Sequence, residues 1–252
     1  MLEKVLRRLA SRVGYELRRR EPPRPPPDLE TDFLALSASC KPYTRTSVER
    51  MYALYQASRY LVRAAIPGAV VECGVWRGGS TMIAAMTLAA CHDRARELWL
   101  YDTYEGMSEP SEHDRDWRGI SAAELMRSGA ANKETSVWCY ASIDDVRGNM
   151  GRTGYPVDRM RFIKGKVEDS LPGEAPAQIA LLRLDTDFYE STYHELSHLY
   201  PRLAPGGVLI IDDYGHWAGA RKATDQYFAE LGHPVLLQRI DYTGRMAIVG
   251  PR

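Results

Sequence analysis

The chain carries no net charge, since 33 Lys and Arg balance 33 Asp and Glu over 252 residues. No global field therefore recruits nucleic acid or any other polyanion. It also lacks an apolar run approaching the roughly 20 residues of a membrane-spanning helix, and its basic N-terminus has no continuous apolar core of the kind a secretory signal needs. Cysteine is sparse: Cys40, Cys73, Cys91 and Cys139 are widely spaced and form no CxxC pair, so neither a zinc site nor a disulfide framework is indicated. A reducing, cytoplasmic setting fits, with a soluble or peripheral protein. What is present is 44% hydrophobic and 26% charged, enough for one sizeable α/β domain with an N-terminal extension.

In that extension Leu2, Val5, Leu6, Leu9, Val13 and Leu17 recur at helical spacing, and seven cations against two glutamates make residues 1–20 a basic amphipathic helix. The segment "EPPRPPPD" then breaks it with five prolines, which favours an extended spacer over residues 21–31. Two readings stand. The helix lies on an anionic membrane surface at the inner face of the membrane, near a lipid-linked substrate, or it is an arm packed on the domain or on a partner subunit.

Residues 32–252 alternate between helical and strand patterns. A helix is expected over Thr44 to Ala65, then a short β-branched run, a glycine turn and a small-residue helix in "GAVVECGVWRGGSTMIAAMTLAA". Further strands are read in "ELWLYDTYEG", "MRFIKG", "QIALLRLDTD" and "GGVLIIDD", with "PVLLQRI" and "RMAIVG" as a final pair and a helix from Tyr189 to Leu203 between two of them. Strands separated by helices imply a mostly parallel seven-stranded sheet with helices on both faces. Such sheets bind ligands beyond the carboxyl ends of their strands. The residues there are Glu72 to Ser80, Asp102 to Gly106, Gly165 to Asp169, Asp185 to Asp187, and Asp212 with Asp213.

The turn "VVECGVWRGGST" is Rossmann-like but departs from GxGxxG, because a carboxylate, Glu72, stands where the strand ends. A carboxylate repels a pyrophosphate and attracts a sulfonium or amino group, which favours S-adenosylmethionine over a dinucleotide. Glu72, Gly74, Val75, Trp76, Gly78 and Ser80 are the candidate cofactor residues of this turn, with Asp102 and Thr103 after the second strand. Asp102 suits the two ribose hydroxyls, and Trp76 or Tyr104 could face the sulfonium through cation–π attraction. A plain glycine turn and a helix-capping aspartate are the alternatives.

Asp185, Asp187, Asp212 and Asp213 end adjacent strands and should converge beside that cleft. Carboxylates so close repel one another unless a cation joins them. Mg²⁺ takes oxygen ligands and needs only two or three carboxylates, the rest of its shell being water. A cap on the following helix is the alternative for Asp187.

Together "VVECGVWRGGS", "LYDTYEGM", "LLRLDTDFYEST" and "LYPRLAPGGVLIIDDY" resemble the macrocin O-methyltransferase family, from about Asp32 onward. The resemblance implies a class I methyltransferase fold and an S-adenosylmethionine- and Mg²⁺-dependent enzyme that methylates sugar hydroxyls of antibiotics. It implies Asp185, Asp212 and Asp213 as metal ligands, Asp187 as general base, and Glu72, Gly74 and Asp102 at the cofactor. It also implies a substrate loop in "EGMSEPSEHDRDWRGISA", where Glu109, Glu112, His113 and Trp117 are candidate contacts, with His216 nearby, and assembly as a homo-oligomer. The basic N-terminal helix is unlike the antibiotic enzymes, which leaves a surface or lipid-linked glycan as an equal acceptor. The rival functions are methylation of a phenolic hydroxyl and a membrane-associated scaffold that binds S-adenosylmethionine without turnover.

Overall fold

The structure, a computed structural model, describes residues 26–232 and 234–250, and the amphipathic helix expected over 1–20 lies outside them. The chain divides into two units, Met1–Thr31 and Asp32–Arg252. In the first, the described residues make one turn in which Leu29 N–H donates to Pro26 O.

The chain then runs α1 (Thr31–Cys40), α2 (Val48–Arg63), β1 (Ala69–Cys73), α3 (Gly79–Ala90), β2 (Leu98–Asp102), α4 (Ala122–Gly129), α5 (Ile143–Gly151), β3 (Met160–Lys164), α6 (Val167–Ser170), β4 (Ile179–Leu184), α7 (Tyr189–Leu199), β5 (Leu203–Ile211), α8 (Ala218–Leu231), β6 (Gln238–Arg239) and β7 (Arg245–Ile248). The strands form one seven-stranded sheet in the order β3-β2-β1-β4-β5-β7-β6. All pairs from β3 to β5 are parallel, whereas β7 runs antiparallel to both its neighbours. The mostly parallel seven-stranded sheet is the one the strand pattern predicted.

Every residue of β1 and β4 is buried, as central parallel strands require. Side chains alternate between the faces. Val71, Cys73, Leu182, Leu184, Leu209 and Ile211 share a core with Leu196 and Leu199 of α7 and Tyr227 of α8, each large apolar side chain contributing about 2 kcal/mol by its removal from water. The alternate residues Glu72 and Arg183 face the other side, where Thr81 of α3 donates to Glu72.

Boundaries differ from the sequence pattern where side chains compete with the backbone. Helix α2 begins after Ser47, whose hydroxyl accepts Arg50 N–H at 3.1 Å, rather than at Thr44. Helix α7 gives way to a 3₁₀ turn over Tyr200–Arg202, where Pro201 removes a donor. Strand β5 starts earlier than "GGVLIIDD", at Leu203, and only Gln238–Arg239 of "PVLLQRI" pair as a strand.

The order reverses between β1 and β4, and this switch point opens a cleft beyond their carboxyl ends. Gly74 N–H donates to Tyr101 O and Asp185 N–H to Cys73 O, which ties the end of β1 to both neighbours. A Cβ on Gly74, at φ +82°, would lie 2.0 Å from the Asp185 carbonyl oxygen. Glycine is demanded there by the approach of two strand ends as much as by any ligand.

Candidate active site

A cavity of about 480 Å³ occupies the switch point, within the range of small-molecule sites. Its walls come from the loops after β1, β2, β3, β4 and β5, so Gly74, Val75, Trp76, Ser80, Asp102 and Thr103 all line it. Asp102 holds the glycine turn in place. Its Oδ2 accepts Val75 N–H at 2.7 Å and Trp76 N–H at 3.0 Å, while Oδ1 accepts Tyr104 N–H at 2.7 Å. Burial raises its pKa above the usual carboxylate range, and these three N–H groups pull the other way. Oδ1 also accepts the Thr103 hydroxyl at 3.4 Å.

Two predicted cofactor residues stand outside the cavity lining. Gly78, at φ +89°, caps α3 and faces Val146. Glu72 is buried under α3, where Thr81 and Arg183 occupy its two oxygens, so its charge is answered within the sheet before any sulfonium meets it. Of the two aromatics, Tyr104 is buried with its hydroxyl donating to Leu100 O. Trp76 lines the cavity at φ +46°, with the Arg45 guanidinium 4.8 Å from its ring centroid and its Nε1 buried without a protein partner.

The four aspartates separate into one and three. Asp212 is taken by two guanidiniums, Arg50 Nη1 at Oδ2 and Arg183 Nη2 at Oδ1. Asp185, Asp187 and Asp213 instead bring one carboxylate oxygen each within 4.8 Å of one another. Asp212, expected as a metal ligand with Asp185 and Asp213, is held by arginines, and Asp187, expected as the general base, is the third member of the cluster, because Arg183, alternating to the Glu72 face of β4, emerges beneath Asp212. Arg183 also reaches Asp185 at 2.7 Å. Burial opposes its charge, yet Asp185, Asp212 and Glu72 together outweigh that cost and hold its pKa well above the usual value. Burial pushes Asp187 up to about 7, with Asp185 adding repulsion, and raises Asp185 and Asp213 well above the ordinary range. Asp213 Oδ2 is buried without a partner. Three crowded oxygen donors, one of them orphaned, fit a hard divalent cation such as Mg²⁺.

Asp187 does not cap α7. It sits at φ +69°, and the α7 N-terminus is served from the loop after β2, where Asp114 Oδ1 accepts Tyr189 N–H at 2.8 Å. Of the loop's predicted contacts, Glu109 and Glu112 are exposed, Trp117 is 66% exposed, and His113 packs against Tyr189 and Lys222; none of the four lines the cavity. Met107, Ser108, Asp116 and Arg118 line it instead. His216 does line it, its Nδ1 3.0 Å from the Tyr242 hydroxyl, and burial lowers its pKa. Cys139 also borders the cavity, but burial pushes its thiol up to about 12, which removes it as a nucleophile. The arginines were missed although one carried a signal: a cation inside the apolar run "IALLRL" must be paired to be buried.

The profile of the Macrocin-O-methyltransferase (TylF) family matches residues 32–247. The 8-demethyl-8-(2,3-dimethoxy-α-L-rhamnosyl)-tetracenomycin-C 4'-O-methyltransferase of Streptomyces olivaceus is 34% identical over 218 residues, 86% of this chain and 80% of that one. The mycinamicin III 3''-O-methyltransferase of Micromonospora griseorubida is 33% identical over 202 residues, 80% of this chain and 76% of the relative. Among solved structures, the O-methyltransferase NovP superposes with a TM-score of 0.71 at 28% identity, covering 83% of both chains. With its class I methyltransferase sheet and a family match across nearly all of the second unit, the chain belongs to the macrocin O-methyltransferase family and is an O-methyltransferase.

Proposed function

We propose that the chain methylates a sugar hydroxyl of a glycosylated natural product with the help of a divalent cation. The observation that carries this is the meeting of Asp185, Asp187 and Asp213 at the cavity that the glycine turn also lines. The relatives support the acceptor class, since one is named for the 4'-oxygen of a rhamnosyl-bearing metabolite and another for the 3''-oxygen of mycinamicin III. Gly74, Val75, Trp76 and Ser80 with Asp102 and Thr103 line the cofactor end, and Met107, Arg118, His216 and Tyr242 the end left for the acceptor.

When bound, S-adenosylmethionine supplies the electrophilic methyl group and Mg²⁺ a positive charge that acidifies the acceptor hydroxyl. Asp185 and Asp213 would hold the cation, with one oxygen of Asp187 near them. The other Asp187 oxygen accepts the proton of the acceptor hydroxyl, the task of a positioned carboxylate base. Arg183 and Arg50 hold Asp212 from behind and keep the ends of β4 and β5 aligned. Alignment of the oxygen with the methyl group supplies much of the acceleration.

The protein acts in the cytoplasm, with residues 1–20 as a peripheral contact to the inner face of the membrane, as their basic amphipathic pattern supports. No described helix is long and apolar enough to cross a membrane. Assembly as a homo-oligomer belongs to the same proposal. The test is transfer from isotope-labelled S-adenosylmethionine to a panel of deoxysugar glycosides and simple phenols, with Mg²⁺ or with EDTA. Glycoside methylation that EDTA abolishes is expected. Transfer to phenols alone overturns the acceptor, and transfer indifferent to EDTA overturns the cation.

A further inference from the structure

Two helices start just after members of the acidic trio, α7 two residues beyond Asp187 and α8 five beyond Asp213. Neither start, Phe188 nor Trp217, is capped by its own side chain. Both are held by the loop after β2. Asp114, 1% exposed, accepts Tyr189 N–H of α7 at Oδ1, and at Oδ2 accepts the N–H of Ser111 at 2.7 Å and its hydroxyl at 2.8 Å. One residue further, Ala218 N–H of α8 donates to Arg115 O at 2.8 Å, and Asp116 pairs with Trp217 in a β-bridge. The fit at α8 leaves no slack: a Cβ on Gly219 would lie 1.9 Å from Asp114 Oδ1. An apolar seat repeats the pattern, because Ala122 and Met126 of α4, the next helix along the chain, pack on Phe188 and Trp217, whose rings meet edge to face at 5.5 Å.

We propose that Asp114 is a positioning residue, a latch that joins the seating of this loop to the geometry of Asp187, so that loop ordering and cation binding at the acidic trio reinforce one another. The inference rests on the cation reading of that trio. Asp187 sits in a left-handed conformation two residues before α7, inside a turn closed by Phe188 N–H donating to Thr186 O at 2.8 Å, and the N–H that Asp114 fixes belongs to the first residue of that helix. By linkage, a loop that favours the cation-competent arrangement must in turn be favoured by the cation.

The test combines Mg²⁺ calorimetry with limited trypsin cleavage of the full chain after Arg115 and Arg118, both exposed within the loop. In the wild type, Mg²⁺ is expected to slow this cleavage severalfold. Asp114→Asn puts an amide NH₂ where Ser111 now donates; cleavage should accelerate and lose its Mg²⁺ dependence, while Mg²⁺ affinity falls by up to about 10-fold, the low end for groups bonded to metal ligands themselves, because Asp114 acts through the start of α7. Raised Mg²⁺ should restore methyl transfer by Asp114→Asn but not by Asp187→Asn. Ser142→Ala, which removes the cap of α5, should leave cleavage and affinity unchanged. Wild-type protein that binds Mg²⁺ without any change in cleavage overturns the latch and spares the cation reading, a result that stands even if the variant fails to fold. A variant that binds Mg²⁺ like wild type also overturns the latch, whereas a wild type that binds none overturns the cation reading beneath it.

Discussion

A charge is set by what surrounds it, and Arg183 shows how far one buried side chain reorders its neighbours. At 3% exposure it pairs with Glu72, Asp185 and Asp212, and thereby divides carboxylates that look equivalent in the sequence. Asp187→Asn should lower transfer by a factor of about 10² to 10⁴, the usual worth of a positioned base, and leave S-adenosylmethionine affinity nearly unchanged by calorimetry; a large loss of affinity would remove Asp187 from the proton-accepting role. Asp212→Asn is expected to act differently. It strips Arg183 and Arg50 of a buried partner, a loss on the order of 3 kcal/mol, visible as a melting temperature lower by roughly 10 °C, with Mg²⁺ binding retained. Of the aspartates, position at strand ends was legible from sequence. Their partners were not, because pairing depends on the face to which each β-strand residue alternates and on the helix that crosses it.

Elements were legible where local chemistry agrees with packing. The apolar runs of β1, β4 and β5 predict buried strands; β1 and β4 are buried throughout and β5 everywhere but at Pro205 and Gly206. Strand β6 shrank to two residues because it is an edge that pairs only with β7, and an apolar pattern there has no second neighbour to extend it. The glycine turn was read correctly as a turn but its demand was underestimated. Gly74→Ala meets both a left-handed φ and the Asp185 backbone, so circular dichroism melts should show destabilisation and calorimetry a loss of cofactor binding. By contrast Gly148, with open space at the Cβ position, should tolerate alanine with neither effect.

At the scale of the molecule, the raised carboxyl pKa values have a thermodynamic sign. For Asp185, Asp187 and Asp213, burial first and mutual repulsion second favour the protonated form in the folded state. Their contribution to cation-free stability is therefore complete below the unfolded pKa near 4 and is lost as pH rises, through about 7 for Asp187. Mg²⁺ should then raise the melting temperature more at pH 8 than at pH 5; an equal or reversed shift would separate the cation from this cluster. The N-terminal proposal is tested apart. Removal of residues 1–27 should abolish sedimentation with anionic vesicles and leave transfer to a soluble acceptor intact; undiminished binding would sink the membrane contact.

The sequence by itself determined the class of the molecule: alternating strand and helix patterns dictate a mostly parallel sheet, and a glycine turn with aspartates at strand ends dictates where a ligand must lie. Those features are local, set by side-chain period and by residues adjacent in the chain. The tertiary structure alone decided that Arg183 claims Asp212, that Asp187 joins Asp185 and Asp213, and that Asp114 rather than Asp187 caps α7. The first and last depend on groups 29 and 75 residues apart meeting within hydrogen-bond distance, the second on carboxylate oxygens brought within 4.8 Å of one another, and at that range burial and charge pairing choose the partner.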